Sequence, residues 1–249
     1  MKKITYGKYK SFKKDLNKKR VESANVLKNN IKKIAQNKKT QIISYSDKEY
    51  SKSFKYVEKL YPNINLKEVT IFLVEGEILK SIGYNGIGGF FDKINKNIVV
   101  AKNLKINNED IFGKITVDEV IVHELLHYVS DVLMLNFSNI LYEEEFAYSN
   151  SIEYLRKKGY TNHQIIQNNF LPFLYSIVDT HKLVLEMCDK ETDIQNFFEK
   201  NKQEIREECK KIAYKYGEEI IKSYDLLKNY NISKRSGKQI NYNFDLMDF

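Results

Sequence analysis

His123-Glu124-Leu125-Leu126-His127 places two imidazoles four residues apart inside an aliphatic stretch that runs from Val120 to Val129. Residues i and i+4 of a helix share a face, so both rings can address one ion. Neutral imidazole is a good ligand for Zn²⁺. Glu124 is offset by one residue, about 100° round the helix. That offset keeps it out of the same ligand shell but within reach of a water held by the ion, the position of a general base. The chain has only four histidines, which makes a chance occurrence of the pattern rare.

A catalytic zinc takes three protein ligands and keeps one position open. A third histidine six residues after His127, preceded by a glycine three residues after it, is excluded, because those positions are Leu133 and Ser130. A downstream carboxylate remains. Glu143-Glu144-Glu145 opens the next helical segment, and Glu144 lies 17 residues beyond His127, a distance that a helix–loop–helix can fold back. Three consecutive glutamates leave the register open between Glu143, Glu144 and Glu145. Asp131, one turn beyond His127, is placed either to orient a ligand imidazole or to end the helix.

The stretch His123 to Asp131, HELLHYVSD, is similar to the HExxHxxxD of thermolysin-type enzymes, and Glu144-Glu145-Phe146-Ala147 resembles the E-x-x-A of lethal-factor-type toxins and minimal gluzincins. The resemblance to gluzincin zinc metallopeptidases covers about residues 69–155. It implies His123, His127 and Glu144 as zinc ligands and Glu124 as the base in peptide hydrolysis. It also implies a further donor to the substrate oxygen, for which His181 is preferred over Tyr175, Tyr148 and Tyr142, and an edge strand that holds extended substrate, here within Phe90 to Val100. Gly83 to Gly89 would then lie at the rim of the cleft.

The elements that must position these groups follow from periodicity and punctuation. Thr116-Val117-Asp118-Glu119 reads as a capping box that opens the histidine-bearing helix through about Val132. A helix over 140–157 stops at Gly159, Thr161 to Gln164 caps another, and Pro172 starts one toward Met187. The segment 193–229 is read as helical, with Ile205, Cys209, Ile212, Tyr216, Ile220 and Leu227 on its apolar stripe. Upstream, Ser46-Asp47-Lys48-Glu49 reads as a capping box for a helix toward Leu60, which Pro62 stops. Thr40 to Tyr45, Val69 to Val74 and Asn97 to Ala101 are strand-like, the last two joined by a glycine-rich turn as neighbours or as a hairpin. The expected class is α+β: a small sheet preceding a zinc-binding helix, with a mainly helical C-terminal part, in a zincin-like arrangement. Residues 1–40 form a basic helical arm, 41–190 the catalytic core and 191–249 a C-terminal helical segment and tail.

Composition narrows the classes. Of 249 residues 42% are hydrophobic, enough for a sizeable core, and two cysteines are too few for a disulfide framework. Residues 1–40 carry 14 Lys/Arg against Asp15 and Glu22, while the rest carries 27 basic and 31 acidic residues. The arm is therefore the part suited to an anionic partner. No clear nucleic-acid motif, apolar run of membrane-spanning length or signal-peptide pattern is visible, so the expected setting is the cytoplasm or delivery into a target cell. The reading is a zinc-dependent endopeptidase acting on a protein or peptide. The alternative is a non-catalytic interaction or structural protein of a larger assembly that uses the arm on a retained zincin core.

Overall fold

The protein is seen in a computed structural model that describes residues 25–82, 88–102, 115–133, 135, 140–171, 173–174, 201 and 203–222. Residues 25–36 form helix α1. Strand β1 (Gln41–Ile43), helix α2 (Ser51–Leu60), a 3₁₀ turn (Leu66–Glu68), strand β2 (Thr70–Val74), helix α3 (Gly76–Ser81), strand β3 (Gly89–Asp92) and strand β4 (Asn97–Ala101) follow. Helices α4 (Val117–Val132), α5 (Ile140–Lys157) and α6 (Asn162–Ile165) come next, the last running into a π-helical segment, Ile166–Phe170. Residues 203–222 form helix α7. The class is α+β, mostly helical, with one small mixed sheet.

The sheet order is β1-β2-β4-β3. β2 and β4 pair in parallel, Thr70 opposite Asn97 and Val74 opposite Ala101, while β1 and β3 flank them antiparallel. The central strands TIFLV and NIVVA are apolar on both faces, as strands covered on two sides must be. Alternation then divides their side chains. Ile71, Leu73, Ile98 and Val100 pack with Phe54 and Val57 of α2 and with Ile121, Leu125 and Leu126 of α4. Phe72, Val74, Val99 and Ala101 pack with Ile31 and Ile34 of α1 and with Leu79 of α3. The last part of the basic arm is thus a helix that covers one sheet face; residues 1–24 lie outside the described residues.

β2 and β4 are neighbours, one of the two expected arrangements; their parallel pairing rules out the other, a glycine-turn hairpin. Parallel neighbours need a crossover, and α3 and β3 lie within it. The hairpin is instead β3–β4, closed by the turn Lys93–Lys96 with Lys96 at φ 56°. Of these two strands β3 lies at an edge of the sheet, as β1 does on the other side, whereas β4 is internal, so the candidate edge shortens from Phe90–Val100 to Gly89–Asp92. Ser46–Glu49 does not cap α2, which begins at Ser51 with Tyr50 before it. Asp47 Oδ1 accepts from the Glu49 amide instead, while Tyr45 stacks edge-on against Phe54 and donates to Glu58. Tertiary anchoring of Tyr45 holds this segment as turns.

A separate core joins α5 to the C-terminal part: Ile152 and Leu155 pack with Ile165, Ile166, Leu171, Cys209, Ala213 and Ile221. On α7 the expected Ile205, Cys209 and Ile220 pack into this core, whereas Ile212 and Tyr216 are exposed and Ala213 and Ile221 are buried instead; Leu227 lies outside the described residues. Gly217 explains the phase, because any Cβ there would sit 2.6 Å from the Ile166 side chain. Leu171, Phe173 and Leu174 are helical; Pro172 itself and the expected course toward Met187 lie outside the described residues. Among the described residues no helix is long and apolar enough to cross a membrane.

Candidate metal centre

Helix α4 is fixed first at its start. The Thr116 amide donates to Glu119 Oε2 at 3.3 Å, the reciprocal half of the expected capping box. Lys158, just past the end of α5, donates to Glu119 Oε1 at 2.6 Å and to Asp118 Oδ2 at 2.9 Å. Tyr160 and Tyr154 donate to Glu119 and Asp118 in turn. With Val120, Ile121, Leu125 and Val129 buried against the sheet and α2, the helix has little freedom to roll. Its remaining face carries His123 and His127 toward α5.

The two imidazoles meet there, His127 Nε2 lying 3.1 Å from His123 Nε2. Glu144 of α5 completes the group, with Oε2 3.3 Å from His123 Nε2 and Oε1 3.5 Å from His127 Nε2. These separations match the edges, roughly 3.3–3.4 Å, of a tetrahedron whose corners lie ~2.0–2.1 Å from a central zinc. The same three residues are the one group of this kind among the described residues whose donor atoms lie within 4.8 Å of one another.

Glu143 acts on the other side of the ring. Its Oε1 lies 3.3 Å from His127 Nδ1, and its Oε2 accepts from Lys93 Nζ at 2.7 Å. A carboxylate at Nδ1 favours a proton on that nitrogen, so Nε2, which faces Glu144, is the atom left to bind an ion. Asp131, the residue suggested by spacing for this work, is not the partner: it pairs with Lys96 of the β3–β4 turn. The three glutamates are turned apart, since successive helical residues point about 100° from one another. Glu144 faces both Nε2 atoms, Glu143 faces Nδ1, and Glu145 is half-buried with its carboxyl pushed up by burial.

Glu124 is 6% exposed and makes no hydrogen bond among the described residues. Burial pushes its carboxyl above the ordinary range, against the opposing pull of His127 and His123. It lies against β3 at Gly89, where an added Cβ would stand 2.8 Å from Val120 Cγ1, 2.8 Å from the Val99 carbonyl oxygen and 3.4 Å from Glu124 Cγ. Gly89 is therefore what lets the edge strand approach the helix at this point. Tyr148, one turn after Glu144, sets its ring 4.3 Å from that of His123 and is backed by Phe173. Burial raises the Tyr148 phenol well above its usual value, and Glu144 and Glu124 add to the shift, so its proton stays on at neutral pH.

The electrostatics of the cluster demand positive charge. Burial opposes a charged His127, yet Glu143 and Glu144 outweigh it and lift the imidazole to about 10. Burial likewise opposes ionised Glu144, but contact with His123 and His127 holds its carboxyl well below the usual range. A proton or a metal cation can meet this demand, and a divalent ion meets it with the right number of donors.

Sequence spacing thus locates His123, His127, Glu124 and Glu144, which the fold brings together. His181 and Tyr175 lie outside the described residues, as does the side chain of Tyr142. His163 of α6 stacks on Tyr214 of α7. Lys93 had no signal in the sequence, being one lysine among many. No protein-family model matches the chain, and neither a curated protein nor a solved structure matches it at a significant level.

Proposed function

We propose that this chain is a zinc-dependent endopeptidase with a zincin-like, gluzincin-type catalytic core. The observation that carries the reading is the convergence of His123 Nε2, His127 Nε2 and the Glu144 carboxylate at 3.1–3.5 Å, with a buried Glu124 beside them. His123, His127 and Glu144 would hold the ion and leave one position open. Bound zinc supplies Lewis acidity, polarising a peptide carbonyl and lowering the pKa of a water toward ~7.

The chain's own residues do the rest. Glu124 takes the proton of the attacking water on its carboxylate and delivers it to the amide nitrogen as the C–N bond breaks. Its raised affinity for a proton suits both halves of that transfer. Tyr148 keeps its hydroxyl proton and offers it to the carbonyl oxygen as negative charge develops there. The free edge of β3, held against α4 through Gly89, can pair with an extended peptide backbone.

Metal analysis of purified protein, paired with Glu124→Gln, tests the proposal. One zinc per chain in both proteins is expected, with cleavage of a peptide library by the parent and a loss of about 10²–10⁴-fold in the variant. Failure of the parent to retain zinc after zinc is supplied, or full activity in Glu124→Gln, would overturn it.

A further inference from the structure

We infer that Lys93 is a positioning residue for the metal centre: by holding one oxygen of Glu143, it leaves the other to fix the tautomer and tilt of His127. The inference rests on the zinc reading above and concerns a residue outside the ligand set.

Three features place Lys93. First, the turn that carries it is rigid. Asp92 is fully buried and accepts from the Ile94 amide at 3.0 Å, the Asn95 amide at 3.4 Å and Asn95 Nδ2 at 2.6 Å. Second, the far end of the turn is tied to α4 by the Lys96–Asp131 pair. Third, from this platform Lys93 Nζ reaches across to Glu143 Oε2 at 2.7 Å, while Glu143 Oε1 faces His127 Nδ1 and the Ser130 hydroxyl donates to it at 3.4 Å.

The burial of the two partners is unequal in a telling way. The Lys93 side chain is 54% exposed, whereas that of Glu143 is 10% exposed. The fold therefore does not need Lys93 for packing. The buried carboxylate does need it, because Glu143 shares its pocket with Glu144 and Glu124. Without the lysine the Glu143 carboxylate loses a charged donor and is repelled by two like charges. It is then free to turn away from Nδ1, and His127 loses the partner that presents Nε2. Such partners of ligand imidazoles typically carry 10–100-fold in metal affinity or activity.

The sign of the effect separates positioning from simple electrostatics. Removing a positive charge beside a cation site tightens metal binding if Coulomb attraction is all that matters. Positioning predicts weaker binding. The experiment measures zinc affinity of the full-length protein by chelator competition at fixed pH and salt, and the visible absorption spectrum of the Co²⁺-substituted protein. Lys93→Met should weaken zinc binding about tenfold or more and alter the cobalt bands, with the melting profile little changed. Lys93→Arg should restore both. Lys80→Met, an equal charge loss from an exposed position on α3, should leave affinity within about twofold. Unchanged or tighter zinc binding in Lys93→Met, or an equal loss in Lys80→Met, would overturn the role of Lys93 while leaving the zinc centre standing. Absence of zinc from the parent would instead remove the reading on which it rests.

Discussion

Two clusters of buried charge lie between the same pair of helices, α4 and α5, and they are built on opposite principles. At the start of α4, Asp118 and Glu119 are met by Lys158, Tyr154, Tyr160 and the Thr116 backbone, a set of donors matched to a set of acceptors. Farther along, Glu124 of α4 and Glu143 and Glu144 of α5 surround two imidazoles, and Lys93, paired with Glu143, is the ammonium among the described residues that meets them. The first cluster is complete as folded. The second holds a surplus of lone pairs in a desolvated space, a condition proteins tolerate where an ion or a reaction supplies the missing charge. Burial alone does not distinguish structure from site; the balance of donors and acceptors does.

The comparison is broken if the two clusters respond alike to loss of one member. Glu124→Gln should cost about 10²–10⁴-fold in kcat, the largest effect expected, and leave the melting temperature equal or higher because a buried carboxylate has been neutralised. Lys158→Met should do the reverse. It strands two carboxylates in a partly buried pocket, and with Lys158 one quarter exposed the cost is about 2–3 kcal/mol, below that of a fully buried pair. For a chain of this size that is a fall of roughly 5–10 °C in Tm, with zinc content retained. Thermal denaturation and metal analysis on both variants make the check; matching profiles would erase the distinction.

A smaller effect sharpens the site cluster's link to the sheet. Gly89→Ala puts a methyl 2.8 Å from the Val99 carbonyl oxygen, which is backbone and cannot swing aside. The edge strand must move off α4 and Glu124 at a cost of about 1–2 kcal/mol. A rise in KM larger than the fall in kcat is expected from steady-state kinetics, since the strand rather than the base is displaced.

How much of this was legible beforehand depended on the range of the interaction. The spacing of His123 and His127, the caps at Thr116 and Thr161, and the stop at Gly159 with φ 86° are local, and they read correctly. The choice among Glu143, Glu144 and Glu145 was not local. It is set by how α5 rolls against α4 and α2, through Ala147 and Tyr154 in the shared core. The parallel pairing of β2 with β4 was hidden for a similar reason, because β3 is four residues long and follows a glycine-rich stretch that carries little periodicity. Glu143 and Lys93 are 50 residues apart, and nothing in either residue's neighbourhood announces the other. The failed cap at Ser46 shows the converse: a sound local signal lost to the anchoring of Tyr45.

The matched cluster makes one further, smaller claim that pH can test. Burial tends to raise the Asp118 carboxyl, but hydrogen bonds from Thr116, Lys158 and Tyr154 hold it below its ordinary value. A carboxyl whose folded pKa is depressed contributes stability above its unfolded value, near 4, and loses it as pH falls through the folded one. Lys158 is raised from 10.5 by Glu119 and Asp118 against burial, so its share persists below that value and is lost only as pH climbs through the folded pKa. The cluster should therefore stabilise evenly between about pH 5 and 10 and weaken on both sides. Asp118→Asn removes the acid-side contribution, about 1 kcal/mol for a partly exposed group. Melting temperatures of parent and variant, compared from pH 7 down to pH 2.5, should converge as the parent's carboxyl protonates. A constant gap would mean that Asp118 works through packing alone, and that the contrast between the two clusters is one of shape and not of charge.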